Sequence, residues 1–223
     1  MRIATPVGTA MLCTLLAACS SGPPVPDWKM NAQSAIERFE AAYLTGRTLV
    51  EQTEFQRARS QVAGTGKVDL IARVELLRCA TRVASLAYEP CSGFEVLKDD
   101  AGAADRAYAA WLAGTAQADD IALLPETQRA VAAAASDTQA ASAAAATREP
   151  LAKLVAAGVL LRANRATPEL LDMAVGTASD QGWRRPLLAW LGVQRLRAEQ
   201  AGDLQEAQRI ARRMALVGEP PAA

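Results

Sequence analysis

Cysteine offers the most distinctive chemistry in this 223-residue sequence, at positions 13, 19, 79 and 91. Histidine is absent, which removes the commonest general base and the commonest metal ligand together. Two pairs of adjacent carboxylates, Asp99-Asp100 and Asp119-Asp120, could suggest acid–base work or a cation site. Adjacent residues do not face one another on a helix, however, and both pairs stand where helices begin, so capping and dipole complementarity account for them. No zinc-type spacing, phosphate-cradling glycine loop or serine nucleophile elbow is found. The expectation is a protein that is not an enzyme and needs no cofactor.

Composition narrows the partners. Lys plus Arg number 24 against 24 Asp plus Glu, and aromatic residues make up 4%. Neither a basic stripe for phosphates nor a stacking platform for bases is available, so nucleic acid is not expected as a ligand. Apolar residues make up 51%, too many for a disordered chain.

The first of the informative cysteines closes a short uncharged stretch. After Arg2, residues 3–18 carry no charge, and the run ends in Leu16-Ala17-Ala18-Cys19. It is too short and too weakly apolar for a permanent span. The tetrapeptide resembles the lipobox of bacterial lipoproteins, an aliphatic residue and two small residues before the cysteine that receives a diacylglycerol. Ordinary signal-peptide cleavage would want a small residue where Leu16 stands. The resemblance implies a signal peptide over 1–18, a palmitate-type anchor on Cys19 and a periplasm-facing protein. Ser20 favours the outer membrane by the sorting rules of that class. Residues 19–27 then form a Pro-rich tether of about 25 Å at most.

Cys79 and Cys91 would share an oxidising compartment, where pairing is the default. A helix running from Cys79 carries the chain away, so the bond requires that helix to end by about Tyr88 and the chain to double back at Pro90. The alternative is two unpaired thiols, one of them buried.

These residues stand on a helical framework, since apolar periodicity is helical and strand alternation is not sustained. The sequence predicts an all-α domain over 28–217 and a disordered tail over 218–223. Its first helix is capped by Asp27, buries Ala32, Ala35, Ile36, Phe39 and Tyr43, and ends at Gly46. The second runs over 48–62. A third, over 67–88, is apolar on two faces and belongs in the middle of the domain. Residues 101–146 read less clearly. Their alanine-rich part, 130–146, fits either a thin helix or a partly mobile segment.

Residues 147–217 read as two helix hairpins. Arg148-Glu149-Pro150-Leu151 returns 36 residues later as Arg184-Arg185-Pro186-Leu187. At that offset Leu154 meets Trp190, Val155 meets Leu191, Leu160 meets Leu196, and Thr167 meets Asp203 as helix caps. Such a period lies in the range of helical repeats. Ala201-Gly202-Asp203-Leu204-Gln205-Glu206-Ala207 resembles the turn and second helix of a tetratricopeptide repeat, and Gly46, Phe55 and Ala58 echo it. The first-helix pattern around Trp190 and Gly192 departs from that motif. The expected architecture is hairpins stacked as a short α-solenoid, tetratricopeptide-like, or an irregular helical array.

The C-terminal hairpins are rich in arginine, and Trp183, Arg184 and Arg185 form a possible interaction surface; the arginines could equally be a solvated polar face. Taken together, the residues suggest a lipid-anchored, non-enzymatic scaffold that holds an envelope protein near the outer membrane. The alternative is a module binding a small ligand or a peptidoglycan fragment.

Overall fold

The computed structural model describes residues 25–218, and every regular element among them is helical. Leu16, Ala17, Ala18 and Cys19, with residues 219–223 of the expected tail, lie outside the described residues.

Helices α1 (Asp27–Leu44) and α2 (Thr48–Ala63) form a hairpin. Gly46 turns it at φ +88°, a conformation side chains resist. Phe39 of α1 meets Phe55 of α2 edge-on, with ring centroids 5.7 Å apart, at the centre of a small apolar cluster. Ile36 is only half-buried at its margin. Asp27 is the first helical residue rather than the cap, a role Pro26 takes. Its carboxylate still faces the positive end of the helix.

Helix α3 (Val68–Ala84) divides the core. Its Val74 belongs to the small cluster, while Ala72, Leu76, Ala80, Val83 and Ala84 join the large one. The two apolar faces therefore meet neighbours on both sides. The helix stops four residues short of Tyr88. Leu86 turns left-handed (φ +59°) and the Ala87 N–H donates back to Arg82 O. That early reversal returns Cys91 to Cys79, and the two form a disulfide with Cα atoms 5.9 Å apart.

Four short elements follow α3: α4 (Ser92–Glu95), α5 (Ala103–Ala113), a 3₁₀ turn (Ala118–Leu123) and α6 (Glu126–Ala132). The alanine tract is two helices rather than one thin one. It breaks after α6 and restarts as α7 (Asp137–Ala146), where Ser136 Oγ accepts from the Gln139 N–H at 3.2 Å. Ala140, Ala141 and Ala144 are buried, and their small size lets α7 lie close to its neighbours.

The last four helices are α8 (Pro150–Arg162), α9 (Pro168–Asp180), α10 (Arg184–Gln200) and α11 (Leu204–Gly218). They pair as α8–α9 and α10–α11, and α10 also packs on α9. The 36-residue offset holds at the caps: Thr167 Oγ1 accepts from the Leu170 N–H and Asp203 Oδ1 from the Glu206 N–H. It holds in the core too, where Leu154, Trp190, Val155 and Leu191 are all buried. Trp190 Nε1 donates to Ala84 O at 3.0 Å, satisfying a carbonyl at the end of α3. Helices α3 and α8 touch backbone to side-chain-less backbone at Gly158. A Cβ there would collide with Val83 O.

Candidate functional site: an apolar cleft between α3, α5 and α6

Arg73 and Leu77 lie one turn apart on α3, with Leu76 beside them, and Ala104, Asp105 and Tyr108 face them from α5. The third wall is Leu123-Leu124-Pro125, and Arg129 of α6 closes the rim. Together they enclose a cleft of about 430 Å³. The third wall is fixed locally. Asp120 Oδ2 accepts from the Gln117 N–H at 2.7 Å, locking the 3₁₀ turn, and Arg129 Nε donates to Leu124 O at 2.8 Å. Leu124 is thereby buried as a plug while Leu123 stays exposed at the mouth. Asp120 thus serves as a cap. Asp99 and Asp100 lie exposed in the turn ahead of α5.

Polar groups in this cleft are few. Asp105 is 7% exposed, and its Oδ1 lies 3.3 Å from Arg73 Nε. Its Oδ2 is buried without a hydrogen-bond partner among the described residues, close to Gly102 at the start of α5. Burial, then the charges of Glu149 and Glu40, holds the Tyr108 hydroxyl well above the ordinary phenol range. Glu40 of α1 is itself pushed up to about 7, first by burial and then by Glu149 and Glu37. Such a surface can hold an apolar group and pair a polar one with the guanidinium groups at the rim. No group of three potential metal-ligating side chains occurs among the described residues.

A second hollow runs between α9, α10 and α11, as two adjoining spaces of about 320 and 300 Å³. Leu171, Val175 and Ile210 contribute apolar surface. Its polar walls pair with each other: Gln194 Nε2 donates to Asp172 Oδ1 at 2.7 Å, and Arg209 makes two bonds to Glu206. In the first cleft the rim guanidinium groups are engaged too, Arg73 with Asp105 and Arg129 with Leu124 O; what distinguishes it is the continuous apolar wall of Leu76, Leu77, Leu123 and Pro125.

The residues singled out in the sequence take other positions. Trp183 is half-buried against the large core. Arg184 donates from Nε and Nη2 to Val217 O and Gly218 O at the end of α11. Arg185 donates to Tyr43 O at 2.8 Å and to Thr48 Oγ1 at 3.0 Å, with its guanidinium 4.4 Å above the Tyr43 ring. Both arginines fasten helix ends, and with Trp183 they remain half-buried at the surface of this joint. The cleft was missed because its walls come from four separate segments. All but the α3 segment fall within residues 101–146, the stretch whose pattern is least clear in sequence.

Comparison with protein-family models, curated proteins and solved structures finds no match for this chain. The class defined by the fold is an all-helical array of packed hairpins.

Proposed function

We propose that this chain is a bacterial lipoprotein, anchored through Cys19, whose helical array holds an apolar segment of another envelope protein without catalysing a reaction. The lipobox-like Leu16-Ala17-Ala18-Cys19 supports the anchor. Among the described residues no helix is long and apolar enough to cross a membrane. The observation that carries the binding half is the cleft itself. Leu76, Leu77, Leu123 and Pro125 offer an apolar wall with Arg73 and Arg129 at its edge, which suits a large apolar side chain flanked by an acidic or polar residue. A peptidoglycan fragment is the second reading, and the weaker one, because a sugar needs more convergent polar groups than this wall provides.

A photo-crosslinking residue at Leu123, exposed at the mouth, tests the binding half in cells making the full chain. A discrete protein adduct at Leu123, absent when the probe stands at exposed Leu216 of α11, is the expected result. Equal labelling at both positions, or none at Leu123 with abundant acylated protein, would overturn it.

A further inference from the structure

At the end of the molecule where the described chain begins, α1 starts beside the α2–α3 turn. Trp28, Ser60, Gln61, Gly64, Thr65 and Lys67 enclose a notch of about 450 Å³ there. Trp28 packs one face on the small core and remains partly exposed. Val25, three residues before it, and Met30, two residues after it, are about half exposed at the same end of α1. Indole is favoured at the bilayer–water boundary, because it combines a large apolar body with a polar N–H. Formal charge here is balanced: Asp27 and Asp69 against Lys29 and Lys67.

The sequence fixes how far this end can stand from an anchor. Five residues lie between Cys19 and Val25, and the six backbone steps reach about 20 Å when fully extended. If Cys19 sits at the headgroups, the start of α1 is held within that distance of them, and the exposed apolar residues nearest the tether are Val25, Trp28 and Met30. We infer that this end of the α1–α2 hairpin is a membrane-docking face, in which Trp28, Val25 and Met30 insert into the lipid interface. The inference rests on the lipid-anchor reading. The occupant is the bilayer surface carrying the chain's own anchor, engaged through apolar insertion, since the balanced charges give no preference for anionic headgroups. The cleft then opens about 12 Å further from the membrane-facing end, measured along α3 from Val68 to Leu76.

Full-length acylated protein, reconstituted in vesicles of brominated phosphatidylcholine, provides the test through tryptophan quenching. Trp111 and Trp190 are buried, and Trp183, half-buried like Trp28, stands beside Arg185 at the opposite end of α1, so quenching by lipid bromine should come from Trp28. The expected result is clear quenching of the wild type and its loss in W28F. M30E, at an exposed site, should reduce quenching at least twofold with helical content unchanged. Adding anionic brominated lipid should change it little. Quenching that survives in W28F, or its absence in wild-type protein that carries lipid and floats with the vesicles, overturns the docking face alone. Protein that carries no lipid on Cys19 and does not float overturns the anchor reading and the docking face together.

Discussion

Leu160 and Leu196 occupy equivalent positions 36 residues apart, yet the first is 1% exposed and the second 53% exposed. The hairpin α8–α9 is covered by later and earlier helices, whereas α10–α11 is the last in the array. Leu160→Ala should therefore cost about 2–5 kcal/mol, as a core cavity does, while Leu196→Ala should stay within about 0.5 kcal/mol. Urea denaturation of the two variants measures the contrast, and equal losses would mean that Leu196 is covered in solution.

Arg185 ties the end of the array back to its beginning, through a carbonyl and a hydroxyl at the α1–α2 turn. Arg185→Lys keeps the charge but lacks the planar fork that serves both acceptors and stacks on Tyr43. A loss of about 1–2 kcal/mol is expected, read as a lower denaturation midpoint. An unchanged midpoint would show that the joint contributes nothing to stability.

The 36-residue offset was legible because its marks are local: a hydroxyl or carboxylate cap three residues ahead of the N–H it serves, and paired apolar positions in each first helix. The joint at Arg185 was not. Its partner Tyr43 lies 142 residues away, and nothing in an arginine beside a proline points there. The end of α3 was misplaced for a related reason. Leucine seldom takes positive φ, and at Leu86 tertiary packing and the return to Cys91 prevail over its helical preference. The cleft is illegible because tertiary structure alone brings residues 73–77 to 123–129.

Glu40 makes stability depend on pH. Its carboxyl titrates at about 7 in the fold and near 4.5 unfolded, so the folded state binds the proton more tightly. The resulting penalty is fully present above about pH 7 and is relieved as pH falls from there to 4.5; across that window it amounts to roughly 3 kcal/mol at most. Glu40→Gln should be more stable than wild type by about 1–3 kcal/mol at pH 8, with the gap closing by pH 4.5. Chemical denaturation at the two pH values decides it, and a gap that is constant or widens on acidification contradicts it.

Reduction of the Cys79–Cys91 bond releases a 12-residue loop. The paired Cys79→Ser and Cys91→Ser variant should lose about 2–3 kcal/mol while keeping its helical content, since α3 has core partners on both faces. Circular dichroism with and without denaturant separates the two quantities. A collapse of helicity in buffer would show that the bond holds α3 itself.

The proposed anchor is tested most directly by the intact mass and N-terminal fragment of the protein purified from membranes. The mature chain is predicted to begin at Cys19 and to carry a diacylglycerol with a third acyl chain. A chain that keeps residues 1–18, or one cut elsewhere and free of lipid, would contradict it.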